Sequence, residues 1–167
     1  MDKNFENTAR RLEKVVINVG LGRLRTLPQF EEKILPEVAK ELALITGQKP
    51  AQRTAKQSVA GFKVREGEII GLQTTLRHRR LRDFLGRLFN VILPRVKDFR
   101  GIDLKHLDKG NILNFGLREQ YVFPEINADQ SKVHFGLQVT IVPRPEFRSD
   151  AVELYRSLGV PFKKTKK

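Results

Sequence analysis

The 167-residue sequence predicts an α+β fold, an antiparallel or mixed sheet with helices packed on one face. Three observations carry that reading. Four short segments alternate apolar and polar residues with a period of two, three longer ones repeat at helical spacing, and the strands are joined by both long and short connections.

The first strand is KVVINVGLG, where Val15, Ile17, Val19 and Leu21 face one way and Lys14, Val16, Asn18 and Gly20 the other. A helix follows over EEKILPEVAKELALITG, with Ile34, Val38, Leu42 and Ile45 on one stripe and Gly47 as its C-terminal cap. Pro36 means that the regular helix either begins near that residue or is kinked there. A weakly patterned strand is expected around Pro50 to Lys56. The next strand, IIGLQTTLR, sets Ile70, Leu72, Thr74 and Leu76 against Ile69, Gly71, Gln73, Thr75 and Arg77.

The second helix, RRLRDFLGRLFNVILP, carries Leu81, Phe84, Leu85, Leu88 and Ile92 inside and Arg79, Arg80, Arg82 and Arg87 outside, with Pro94 closing it. Strands ILNFGLR and FGLQVTIV come next. Leu113, Phe115 and Leu117 oppose Asn114, Gly116 and Arg118, and Phe135, Leu137, Val139 and Ile141 oppose Gly136, Gln138 and Thr140. A last helix, SDAVELYRSLG, is expected to be capped by Ser149 or Asp150, to bury Ala151, Leu154, Tyr155 and Leu158, and to stop at Gly159.

The face opposite the core offers Asn18, Gln73, Thr75, Asn114, Gln138 and Thr140, interspersed with glycines. A solvated sheet face ordinarily carries Lys and Glu. Neutral hydrogen-bonding groups with glycines between them suit the close approach of another backbone, although a plain polar face with threonine for strand propensity has the same composition.

Net charge is +13, which points to nucleic acid as partner. No apolar stretch approaches the length of a membrane span, and the start MDKNFENTARRLEK has no apolar region of a signal peptide, so no membrane role is expected. There is no cysteine, and His78, His106 and His134 have no ligand-like spacing, so neither metal nor other cofactor is expected. VINVGLGR begins like a dinucleotide fingerprint, but Arg25 stands where the third glycine belongs. No catalytic grouping stands out, and the chain is not expected to be an enzyme. An RNA-acting enzyme and a basic module for membranes or acidic proteins are the rival readings.

Cations cluster at Arg53, Lys56, Lys63 and Arg65, from Arg77 to Arg87, and at Arg95, Lys97 and Arg100. They suit RNA phosphates, and there is no helix-turn-helix or zinc finger for DNA. Within TAKQSVAGFKVREGE, Phe62 is either a buried anchor for the loop or an exposed ring that stacks on a base. Arg53, Lys56, Gln73 and Arg77 are candidate rRNA contacts on these grounds.

GQKP (47–50), KQSVAGFKVREGE (56–68), TLR (75–77), PRVKDFRG (94–101), NFGLREQ (114–120) and FPEI (123–126) together resemble the bacterial large-subunit ribosomal protein five family, the 5S-rRNA-binding proteins. The resemblance runs from about Leu12 to Phe162. It implies an α+β fold whose concave sheet face receives 5S rRNA, and a cytoplasmic location in the ribosome. It further implies attachment of 5S rRNA to 23S rRNA in the central protuberance among neighbouring large-subunit proteins. By motif it adds Asn18, Gln48, Phe62 and Thr75 as 5S rRNA contacts. A loop of Ser58, Val59, Ala60, Gly61, Lys63, Arg65 and Glu66 would reach the elbow of the peptidyl-site tRNA. Asn127, Asp129, Lys132 and His134 would form a bridge to small-subunit ribosomal protein thirteen. Residues 1–167 then make one RNA-binding domain, with a short N-terminal extension at 1–11 and a basic tail at 163–167. Family members usually begin with a longer helical segment than MDKNFENTARR, and KKTKK runs past their usual end.

Overall fold

The computed structural model describes residues 3–97 and 99–163, so most of the basic tail, residues 164–167, lies outside the described residues. Five strands form one sheet, β1 (Leu12–Gly20), β2 (Ala51–Thr54), β3 (Ile69–Leu76), β4 (Leu113–Leu117) and β5 (Leu137–Pro143), in the order β2-β3-β1-β5-β4. Every pairing is antiparallel, so the mixed alternative does not occur among them. The helices are α1 (Lys3–Ala9), α2 (Leu35–Thr46), α3 (His78–Arg87), a short α4 (Leu93–Arg95) and α5 (Ala151–Ser157).

The alternation sorts the strands as expected. Val15, Ile17, Val19, Leu72, Leu76, Leu113, Phe115, Leu117, Val139 and Ile141 join a single core with Val38, Leu42 and Ile45 of α2, Leu81, Phe84 and Leu85 of α3, and Ala151, Leu154 and Tyr155 of α5. The helices therefore cover one face and leave the other open.

Several local expectations are corrected. Residues 3–9 form a helix that the period does not announce; Phe5 and Ala9 attach it to the core. Ile70 is exposed at the start of β3, and Phe135 is buried but precedes the first residue of β5. Asp150 occupies the N-cap position of α5, yet its side chain makes no capping hydrogen bond. Gly47 does cap α2, in the left-handed region at φ 67°.

The two helix prolines share one device. A π-turn over Phe30–Ile34 precedes α2, and another over Leu88–Ile92 follows α3. In each, the residue before the proline donates its N–H five residues back, Leu35 to Phe30 and Leu93 to Leu88. The widened turn relieves the clash of the proline ring with the carbonyl four residues earlier. Pro36 thus sits in the first turn of α2, and Pro94 lets the helix run on to Arg95 rather than closing it.

Candidate nucleic-acid interface

The register arranges the open face in rows that cross the strands. One row is Ala51–Gln73–Asn18–Gln138–Gly116, a residue from each of the five strands. Next to it runs Thr75–Val16–Thr140–Asn114. The amides are held in place by one another. Gln73 Nε2 donates to Asn18 Oδ1 at 2.8 Å, and Arg53 Nε donates to Gln73 Oε1 at 2.8 Å. Thr140 Oγ1 donates to Asn114 Oδ1 at 2.7 Å. Lys14, on the same face, pairs with Glu13 at 2.9 Å, and that hydrogen bond holds the Glu13 carboxyl below its ordinary pKa.

Gln48 sits where α2 ends and β2 is about to begin. Its Nε2 donates to the Thr75 carbonyl at 3.3 Å, and its Oε1 accepts from Arg80 Nη1 at 3.0 Å. It therefore joins the end of β3 to the first turn of α3, where Arg77, Arg79 and Arg80 are exposed. The backbone turns sharply there, from extended Arg77 to His78 at φ 52°.

Antiparallel pairing puts the end of β1, the start of β3 and the end of β2 at one edge of the sheet, with the end of β4 and the start of β5. The β2–β3 and β4–β5 connections both leave from that edge. Gln48, Thr75 and Arg77 lie at the opposite edge. The eight residues of β3 separate these groups by about 27 Å.

The β2–β3 connection is built from its own polar groups. Val59 and Val64 form a two-way backbone bridge, the Glu66 N–H donates to the Ser58 hydroxyl at 2.9 Å, and the Arg65 N–H donates to Glu68 Oε2 at 2.8 Å. Glu68 also pairs with Arg25, which fastens the base of the loop to the turn after β1. Ala60–Phe62 make a single 3-10 turn, followed by Lys63 at φ 51°. Phe62 is 81 % exposed, so within this chain the ring is not a buried anchor. It borders an apolar hollow with Val59, Val64 and Ile70, rimmed by Arg23 and Lys56.

The β4–β5 connection turns on a residue that the alternation misses. Gln120 is fully buried. Its Nε2 donates to the Val133 carbonyl, and its Oε1 accepts the Phe135 N–H at 3.0 Å. Glu125 of the same connection pairs with Arg87 of α3, which also donates to the Ile45 carbonyl at 3.1 Å. Asn127, Asp129, Lys132 and His134 are all exposed on the outside of this excursion. Asn127 Oδ1 accepts the Asp129 N–H at 3.0 Å, and the His134 ring lies 5.8 Å from that of Tyr121.

Asn18, Gln73 and Arg53 thus form one hydrogen-bonded group at mid-face, Gln48 and Thr75 a second beside Arg77, and Lys56 and Phe62 a third on the β2–β3 loop. The residues at 127–134 stand apart from all three, beyond β4 and β5. Among the described residues no group of His, Asp and Glu is placed to hold a metal ion, and no helix is long and apolar enough to cross a membrane.

Family-level comparison matches residues 8–65 to Ribosomal protein L5 and residues 69–162 to the C-terminal part of the same ribosomal family. The chain belongs to the ribosomal L5 family. Relatives named large ribosomal subunit protein uL5 support this along nearly the whole length. The chain is 43% identical to the Leptospira biflexa protein over 161 residues, 95% of this chain and 86% of the relative. It is 46% identical to that of Halothermothrix orenii over 165 residues, 97% of this chain and 90% of the relative. For Thermus thermophilus the identity is 47% over 154 residues, 92% of this chain and 82% of the relative. L5 proteins are structural components of the large ribosomal subunit rather than enzymes, and they work among rRNA and other ribosomal proteins.

Proposed function

We propose that this chain binds 5S rRNA on the open face of its sheet and helps attach it to 23S rRNA in the central protuberance. The observation that carries the reading is the row Gln73–Asn18–Gln138. It is an uncharged line of amides on a face flanked by Arg53, Lys56 and Arg77. Cations neutralise phosphates and supply affinity, while Asn18, Gln73 and Thr75 fix register through 2′-hydroxyl and base-edge hydrogen bonds. Gln48 supports the same surface by holding Arg80 and the end of β3. The chain acts as one RNA-binding domain over residues 1–167.

Two loops extend the reading. Ser58, Val59, Ala60, Gly61, Lys63, Arg65 and Glu66 form the surface offered to the elbow of the peptidyl-site tRNA, while the exposed Phe62 among them is offered to 5S rRNA. Asn127, Asp129, Lys132 and His134 form the surface offered to small-subunit ribosomal protein thirteen. Their support is exposure and projection from one edge of the sheet.

A filter-binding titration with a 5S rRNA transcript tests the central claim. With about 5 phosphates neutralised, log K should fall against log salt with a slope near −4. Affinity no better than for an unrelated RNA of equal length at equal salt would overturn it.

A further inference from the structure

Beside the amide row, toward the edge from which the two loops leave, lies a row that has almost no side chains. Arg53 is opposite Gly71, and Gly71 is opposite Gly20. Continuing the register of Asn18 with Gln138 by two residues brings Gly136 level with Gly20. Continuing that of Leu117 with Leu137 by one brings Arg118 level with Gly136. The row is therefore Arg53–Gly71–Gly20–Gly136–Arg118: bare backbone across the middle and an exposed arginine at each end. Arg53, Gly71, Gly20 and Gly136 line one hollow on the open face together with Asn18 and Gln138. The row spans four inter-strand steps, about 19 Å.

Two of the glycines are needed by the fold. A methyl on Gly71 would stand 3.0 Å from the Val19 carbonyl oxygen, and one on Gly136 would stand 3.0 Å from that of Leu117. Gly20 is different. A methyl there meets nothing within 4 Å, and its backbone is ordinary strand. Neither packing nor conformation within the chain accounts for a glycine at position 20, in the middle of the trough.

We propose that this trough seats one sugar–phosphate strand of RNA running across the β-strands. Arg53 and Arg118 hold phosphates at its two ends, and the amides of Asn18 and Gln138 lie along its side within reach of 2′-hydroxyls. The chemistry favours RNA backbone: the row and its amide wall hold two arginines and no carboxylate, and a floor without side chains admits a backbone at close range. The inference rests on the proposed 5S rRNA binding and adds the direction of the strand and Arg118 as its far anchor.

Gly20→Val and Arg118→Gln test it by titration with a 5S rRNA transcript at several salt concentrations, alongside thermal melting. Gly20→Val should melt like the parent and bind at least tenfold more weakly, because its side chain fills the trough. Arg118→Gln, an exposed change, should make the log–log salt slope shallower by about 0.7 to 0.9. Parental affinity in a folded Gly20→Val protein, or an unchanged slope for Arg118→Gln, overturns the trough while leaving 5S rRNA binding intact. Should Gly20→Val lower the melting temperature, the Arg118→Gln slope decides. Failure of the unsubstituted protein to prefer 5S rRNA overturns both.

Discussion

The side-chain carbonyl of Gln120 accepts the backbone N–H of Phe135 at 3.0 Å, across fifteen residues of chain. The same amide donates to the Val133 carbonyl, so a single buried side chain closes the whole β4–β5 connection. The connection also buries Phe123, Ile126 and Val133 in the core, and the amide satisfies the backbone groups that this burial removes from water.

Gln120→Leu should therefore destabilise the protein by about 1–3 kcal/mol, since it leaves the Phe135 N–H buried without a partner, while the Val133 carbonyl keeps the Ser131 hydroxyl at 3.0 Å. Urea unfolding checks this. The midpoint should fall while the dependence on denaturant stays the same. A midpoint equal to the parent's would show that water replaces the amide at no cost.

Thr74 offers the opposite case. It lies on the core face of β3 at 1 % exposure, and its hydroxyl has no hydrogen-bond partner among the described residues. Thr74→Val keeps the shape and removes the unsatisfied polar atom, so it should stabilise the fold by about 1 kcal/mol. Calorimetry should show a higher melting temperature; a drop would mean that the hydroxyl is satisfied after all.

Phe62→Ala separates binding from folding. The ring is 81 % exposed, so the melting temperature should move by less than about 2 °C. Loss of a stacking platform should weaken RNA binding by about 1–3 kcal/mol. Unchanged affinity for both 5S rRNA and tRNA would leave the ring without a role on either.

Tyr155 predicts an alkaline limit. Its hydroxyl is placed to donate to the carbonyls of Asn111 and Ile141, at 2.9 and 3.0 Å, and burial pushes its pKa up from the ordinary value of 10.0. The folded state thus holds this proton more tightly than the unfolded chain. The contribution is fully present below pH 10 and is lost as pH rises above it toward the raised folded value. Tyr155→Phe should cost about 1–2 kcal/mol at neutral pH and flatten the loss of stability above pH 10. Parallel curves for the two proteins at alkaline pH would sink the assignment.

Much of this was legible before any coordinates. Period-two alternation placed Asn18, Gln73, Thr75, Asn114, Gln138 and Thr140 on one face, because side chains of a strand must alternate. Helical spacing gave the inner stripes of α2, α3 and α5, and a left-handed Gly47 ended α2 where a glycine was expected. Helix α1 was not legible: KNFENTA has only Phe5 and Ala9 as apolar residues, too few to draw a stripe, and these two are held against distant core residues. Gln120 was invisible for a related reason, since a glutamine reads as surface until the chain folds around it.

The sequence by itself determined which residues of each strand share a face, that α2 stops at Gly47, and that the partner is polyanionic. Those properties follow from local geometry and total charge. Only the tertiary structure decided which residues stand opposite one another. Strand order and register are pairings between segments far apart in the chain, and no local pattern encodes them. That pairing placed Gln73, Asn18 and Gln138 in one line and Gly71 opposite Gly20. It also brought both long loops to the same edge of the sheet and left the ring of Phe62 exposed beside the hollow of Val59, Val64 and Ile70.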